Sequence, residues 1–370
     1  MIKRLYIHNF RCLENFELPV SGLPSALLIG GNGSGKTTVS FALEILQKIA
    51  RGTNRVGELV KPKDLLGRKG VPMRLEIEVD LHGRTHAYSV AFEFPEGFRE
   101  LRIFDEKLSV DGNPIFTREL AQVNFVRSGH DKEARFSIDW HLAALPIIQQ
   151  QSVKDPLFVL KQWLARMLIL RPIPPLILGK SEHDTLEPHP HVTDLGAWFS
   201  GLLAFKPAAY TRIAEYLKQV MPDLEDIRNP LAGGDTRMLE VQFTSDPGPG
   251  TVCFPFEDLS DGEKCFMICA LVLAANEAYG PLLCFWDEPD NFLAPSEVQH
   301  FVMALRKAFQ AGGQFIATSH NPEAIRSFSD ENTLLLSRKS HLEPTIVRPV
   351  GELKVSGDLV DALTRGDVQP

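Results

Sequence analysis

The chain has 370 residues and a mass of 41.3 kDa, with 44% hydrophobic and 23% charged residues. A chain this long buries about 75% of its unfolded surface, which excludes a disordered, collagen-like or small disulfide-stapled protein. The 39 basic residues against 47 acidic ones give a net charge of -8, which excludes a general nucleic-acid coat and confines any DNA contact to a local surface.

Residues 1–20 alternate as strands do, with Leu5, Ile7, Phe10, Phe16 and Leu18 at apolar positions. The opening has no apolar run of the signal-peptide kind, and no stretch approaches about 18 uncharged apolar residues. A cytoplasmic protein with no membrane partner is therefore expected. Ser25–Ile29 reads as a short buried strand that enters a glycine-rich turn. Val39, Ala42, Leu43, Leu46 and Ile49 then follow helical spacing. Over 73–116 the alternation of Leu75, Ile77, Val79 and Leu81, then of Tyr88, Val90, Phe92 and Phe94, predicts an antiparallel meander. Asp111-Gly112 is the turn signal within it.

Residues 140–235 read as mainly helical, with Asp155-Pro156 as a helix start and further helices over 193–205 and 207–220. From 236 onward apolar strands alternate with helices: 239–243, 282–286, 314–318 and 333–336 as strands, 262–278 and 295–309 as helices. That order implies a parallel sheet covered on both faces. The five cysteines, Cys12, Cys253, Cys265, Cys269 and Cys284, mostly sit in apolar runs and are expected to be reduced and buried. His183, His189 and His191, with Asp184 and Glu187, read as a proline-rich surface loop before a metal site.

Four motifs carry chemistry. Gly30-Gly31-Asn32-Gly33-Ser34-Gly35-Lys36-Thr37 fits G-x-x-x-x-G-K-[ST] between strand and helix. Glycines let successive N–H groups approach phosphate oxygens, and the helix aims its positive end at the same anion. Lys36 reaches the β- and γ-phosphates, Thr37 offers a hydroxyl to Mg²⁺, and Thr38 is placed for the α-phosphate. Second, the apolar run 283–286 ends in Asp287 and Glu288. Asp287 can support the magnesium shell and Glu288 can take a proton from attacking water. Third, Leu259-Ser260-Asp261-Gly262-Glu263-Lys264 precedes an apolar helix and reads either as a helix cap or as a second anion cradle. Fourth, Ile316-Ala317-Thr318-Ser319-His320 is a strand that ends in a histidine able to polarise a γ-phosphate.

In this order the motifs resemble Walker A, signature, Walker B and switch histidine of the ABC-type ATPases. Ile7-His8-Asn9-Phe10-Arg11 resembles the opening of the SMC/RecF group. LSDGEK and DEPDNFLAP most resemble the soluble AAA-type ATPases related to the OLD family, many of which serve anti-phage defence or DNA repair. The resemblance implies an α/β fold: an ABC-ATPase-like head with a mostly parallel core sheet, an appended antiparallel β-meander and a helical insertion. It implies an N-terminal ATPase lobe over 1–139, a lid-like helical insertion over 140–235, and a C-terminal lobe over 236–370.

It further implies ATP and Mg²⁺ as cofactors. Gly30, Asn32, Gly33, Ser34, Gly35, Lys36, Thr37 and Thr38 would hold the nucleotide, Arg11 would approach it, and Thr37 and Asp287 would serve the metal. Glu288, Lys36 and His320 would be the catalytic set. Ser260 and Gly262 would reach the γ-phosphate of a second protomer. Gln149, Gln150 and Gln151 are all candidates for the further metal ligand, Gln149 being the first of them. Asn291 and Phe292 lie where the family's dimer-crossing loop falls. A homo-dimer or higher oligomer through the nucleotide sites follows, with a separate effector subunit and a local DNA contact as the partners to test.

Three other readings compete. About 225 residues separate Gly35 from Ser260, long for a transporter's nucleotide-binding subunit. The filled hydrolytic positions argue against a scaffold with little turnover. About 50 residues follow His320, short of the roughly 100 that an appended nuclease domain would need.

Overall fold

The computed structural model describes residues 1–68, 70–125, 134–244, 250–353 and 360. Contacts divide the chain into two units. The first holds Met1–Leu23, Leu28–Met167 and Asp330–Pro370; the second holds Pro24–Leu27 and Leu168–Ser329.

In the first unit, β1 (Ile2–His8) lies between β2 (Phe16–Glu17) and β4 (Met73–Leu81), antiparallel to both. The sheet continues through β5 (Arg84–Glu93), β6 (Arg102–Val110), β7 (Asn113–Glu119), β8 (Gln122–Phe125) and β9 (Ala134–Ser137), each antiparallel to the last. Period-two patterning puts Leu75, Ile77, Val79, Tyr88, Val90 and Phe92 inside. The turn at Asp111-Gly112 has both residues at positive φ, 50° and 80°, which the two-residue hairpin geometry requires.

A fully buried Glu106 faces Arg118 across this sheet at 3.7 Å. Its carboxylate accepts from Tyr88 Oη and from the N–H groups of Ala144 and Leu145. Arg118 donates to the carbonyls of Leu120, Leu142 and Asp139. Burial pushes the Glu106 carboxyl up from its usual range, and the two N–H groups and Arg118 oppose that shift. The pair thereby fixes residues 139–145 to the meander.

The strand β3 (Ser25–Ile29) contributes its first residues to the second unit. In the first unit α1 (Lys36–Ala50) buries Val39, Ala42, Leu43, Leu46 and Ile49, and α2 (Val56–Leu59) follows it. Helix α3 (Pro156–Ala165) is capped by Asp155, which accepts from the Leu157 N–H. The short antiparallel pair β19 (Thr333–Ser337) and β20 (Ile346–Pro349) completes this unit.

In the second unit, β10 (Leu168–Leu170), β17 (Leu283–Trp286) and β18 (Gln314–Thr318) run parallel, and Phe315 N–H bonds Pro24 O at the start of β3. Every residue of these strands is buried, as expected of a sheet covered on both faces. Helix α6 (Asp261–Tyr279) is buried on every side from Lys264 to Ala275, whereas α7 (Pro295–Gln310) buries one stripe, Val298, Phe301, Val302, Leu305 and Phe309. The remaining helices are α4 (Leu195–Phe205), α5 (Ala209–Val220) and α8 (Pro322–Arg326). Two small antiparallel sheets accompany them. One is ordered β11 (Lys180–Ser181), β14 (Thr236–Met238), β13 (Leu231–Gly233). The other is ordered β12 (Leu224–Arg228), β15 (Glu240–Thr244), β16 (Thr251–Pro255).

Two expectations need correcting. The stretch read as mainly helical also carries β10, β11, β12 and β13. Leu168–Leu170 is a short apolar run, for which periodicity cannot separate strand from helix, and pairing with β17 decides it. Cys253 is exposed, because β16 is the edge of its sheet. The other four cysteines are buried, and all five are free thiols.

Candidate functional site

In the first unit, Gly30, Gly33 and Gly35 hold φ values of 142°, 78° and 102°. A Cβ at Gly30 would lie 2.0 Å from Leu336 O, and one at Gly35 would lie 2.8 Å from Thr345 Oγ1. Both positions favour glycine by dihedral, and a Cβ would meet neighbouring backbone at Gly30 and neighbouring side chains at Gly35. The loop is braced from behind. Thr345 Oγ1 donates to Ser34 O at 2.8 Å, and Arg338 donates to Gly33 O at 3.2 Å. Lys36 is buried, and its ammonium donates to Gly30 O at 2.8 Å and Gly31 O at 3.3 Å. Its charge is thus held over the loop it follows.

Ser34 Oγ is buried with no hydrogen-bond partner among the described residues. Asn32 and Thr37 are exposed, and Thr38 is half-buried with Cys12 Sγ 3.6 Å from its hydroxyl. Glycine cradle, orphan hydroxyl, ammonium and the start of a 15-residue helix together fit a polyphosphate. Thr37 supplies the hard oxygen that a magnesium ion prefers.

Arg11 Nε donates to Asp64 Oδ1 at 2.9 Å, and its guanidinium lies 4.4 Å from the Phe41 ring centre. Arg11, expected to approach the nucleotide, is thus paired here with an acidic neighbour. Gln149, Gln150 and Gln151 share one exposed loop, four to six residues past the Glu106-bound Leu145.

In the second unit, Asp287 and Glu288 leave β17 together. Thr318 at the end of β18 joins them: its hydroxyl donates to Asp287 Oδ1 at 2.5 Å and accepts from the Glu288 N–H at 2.9 Å. Glu288 stands at φ 50°, a left-handed conformation that a glutamate adopts only under constraint. His320 Nε2 lies 3.6 Å from Glu288 Oε1, and Asn291 Nδ2 donates to Glu288 Oε2.

Just beyond, Asp290 is buried and accepts from Ser319 Oγ at 2.7 Å, while Ser319 Oγ in turn accepts from the Asn321 N–H at 2.8 Å. Burial pushes the Asp290 carboxyl up, and its Oδ1 has no hydrogen-bond partner among the described residues. Sequence reasoning missed this Asp290–Ser319 tie and the Thr318 bridge. Their signal was present in the polar residues that directly follow two buried strands.

Ser260 is the N-cap of α6 in a reciprocal capping box. Its hydroxyl accepts from Glu263 N–H at 3.3 Å, and the Glu263 carboxylate accepts from Ser260 N–H and Oγ, both at 2.7 Å. Ser260 and Gly262 also open onto a cavity of about 690 Å³, together with Phe266, Phe292, Asp223 and Glu297. Cap and surface site coexist at this helix end.

Fold and motif order together define an ATPase-head class. The family model RecF/RecN/SMC N terminal domain matches residues 1–341, and the chain belongs to that family. The fold is similar to a solved Smc head bound to the C-winged helix domain of ScpA, with a TM-score of 0.57 and 15% identity, covering 95% of this chain and 99% of that one. It is also similar to the Smc head domain with an extended coiled coil bound to the C-terminal domain of ScpA from Pyrococcus furiosus, with a TM-score of 0.56, 12% identity and 99% of each chain covered. A curated relative, an OLD nuclease of Thermus scotoductus, is 46% identical over 46 residues, which span 12% of this chain and 8% of that protein. No helix among the described residues is long and apolar enough to cross a membrane.

Proposed function

We propose that this chain binds and hydrolyses ATP with Mg²⁺ and works as a nucleotide-driven switch that controls a separate effector in anti-phage defence or DNA repair. The observation that carries the reading is the acidic pair after β17. Asp287 and Glu288 are fixed by one hydroxyl, and Glu288 is held in a strained conformation beside His320. Positive φ also serves ordinary turns such as Asp111-Gly112; what supports a general base is fixed aim, supplied here by Thr318, His320 and Asn291 around Glu288. In this reading residues 1–139 carry the cradle, 140–235 form an insertion, and 236–370 carry signature, carboxylates and switch histidine.

The cradle of Gly30, Gly33, Ser34, Gly35 and Lys36 holds the phosphates, with Asn32, Thr38 and Arg11 at its margin. Thr37, Asp287 and one of Gln149, Gln150 or Gln151 hold magnesium, which when bound neutralises charge on the phosphates. Glu288 takes the proton of the attacking water, and His320 orients the terminal phosphate. Ser260 and Gly262 close on the nucleotide of a second copy, so ATP binding brings two copies together and hydrolysis releases them. Likeness to Smc heads and the short OLD-nuclease match support the ATPase-head part. The defence or repair role rests on analogy between families.

Phosphate release and light scattering test this directly. Lys36→Ala is expected to lose nucleotide affinity; retained affinity overturns the cradle. Glu288→Gln is expected to bind ATP, slow turnover by about 10²-fold or more, and double its particle mass when ATP is added. Normal turnover in that variant removes Glu288 from the mechanism.

A further inference from the structure

The sheet β12–β15–β16 ends in an edge strand that nothing among the described residues covers. All five residues of Thr251-Val252-Cys253-Phe254-Pro255 are exposed, and none is charged. Natural edges are usually blunted by short length, lysine, proline, bulges or cover; β16 is five residues long and has a proline only at its last position. Here Val252 is 52% and Phe254 42% exposed. They share a face with Val241 and Phe243, their cross-strand partners. Val241 is buried, and the Phe254 ring meets Phe243 edge-on at 5.9 Å. The apolar layer therefore continues past the last strand and stops uncovered.

The ladder fixes which main-chain groups are open. Phe256 N–H bonds Leu239 O at 2.9 Å, and the register pairs Val241 with Phe254 and Phe243 with Val252. Alternation in an antiparallel ladder then turns the even residues toward β15 and turns Thr251, Cys253 and Pro255 outward. The open edge offers N–H groups at 251 and 253, and carbonyls at 251, 253 and 255. Pro255 has no N–H to offer.

We infer that β16 pairs antiparallel with β16 of a second copy of this chain, about a two-fold axis at Cys253. In that register each Cys253 N–H meets the other copy's Cys253 carbonyl, and each Thr251 N–H meets the other copy's Pro255 carbonyl. Four bonds form and no outward donor is left over; the missing N–H of proline falls where the match ends. Val252 lies opposite Phe254 of the second copy on the apolar face, so two three-stranded sheets become one of six. A two-fold axis that matches one patch to itself is the commonest way identical chains associate. This surface needs no nucleotide.

The two Cys253 Cα atoms would lie about 5.5 Å apart, inside the Cα range of a disulfide, with Cβ atoms about 5 Å apart, so closing the bond takes a shift of about 1 Å at this exposed edge. The thiol is the exposed one of five, and it donates to Glu240 Oε2 at 3.4 Å. Copper–phenanthroline oxidation of the full chain without nucleotide is expected to give a reducible covalent dimer as the main product, and Cys253→Ser to give none. Val252→Lys, at an exposed position, and Thr251→Pro, which deletes an outward donor, are each expected to slow cross-linking by about tenfold or more. Absence of the dimer, or an unchanged rate in Val252→Lys, overturns the pairing. So does protection of Cys253 by a different chain without a chain-to-chain disulfide, which would assign the edge to an effector strand. Lys36→Ala is expected to cross-link normally, so failure of the nucleotide reading leaves this result untouched.

Discussion

At Gly30 one added methyl group decides whether the loop can exist. Its Cβ would overlap Leu336 O at 2.0 Å, and φ is 142°. The obstacle is backbone, so no side-chain rotation relieves it. Gly30→Ala is expected to destabilise the protein by about 3 kcal/mol or more, combining a forbidden dihedral with a displaced strand. A urea midpoint within experimental error of the wild type would show that the loop moves freely, against the bracing described. Gly31, where an added methyl group would meet nothing within 4 Å, is the internal control: Gly31→Ala is expected to stay within about 0.5 kcal/mol. The motif made the glycines legible as a cradle. It could not separate a glycine needed for phosphate approach from one needed because β19 passes behind it.

Elements are legible where patterning is long, and poorly so where tertiary pairing decides. Helix α1 was legible from five apolar positions, and Asp155-Pro156 from local chemistry alone, because a cap and a proline act within their own turn. By contrast β10 is three residues long and is a strand only because β17 lies beside it. The candidate site shows the same division. Asp287, Glu288 and His320 were legible as strand-end polar residues. The bridges between them were not, since Thr318 and Ser319 are near the acidic pair only after β17 and β18 align.

That alignment yields a prediction at the level of the two loops. Asp290 ties the loop after β17 to the loop bearing His320, through Ser319. Asp290→Ala is expected to lower kcat about tenfold or more and to leave KM for ATP within about twofold, the pattern of lost positioning and not of lost binding. Because Ser319→Ala cuts the same link, the double variant should be scarcely worse than either single one. Multiplying effects would show that the two residues act separately.

At the scale of the whole molecule, two surfaces of the second unit each propose a meeting between identical copies, by different physics. One is the capped start of α6, where Ser260 and Gly262 open onto a cavity and where, on the function proposed above, closure would need ATP. The other is the β16 edge, where closure needs only main-chain bonds and apolar cover. Two distinct two-fold contacts on one chain generate a closed tetramer or an open array, whereas either alone stops at a dimer.

The variants therefore separate cleanly. Val252→Lys is expected to be monomeric without nucleotide; with Glu288→Gln added, it should still double in mass with ATP. Ser260→Arg is expected to keep the nucleotide-free dimer and to gain no mass from ATP. The combined Val252→Lys, Ser260→Arg chain should remain a monomer throughout. Light scattering on these four samples assigns each contact by itself. A Glu288→Gln chain that reaches only a dimer with ATP, from a dimer without it, would mean that one surface serves both states. The separate roles of α6 and β16 would then collapse into a single interface.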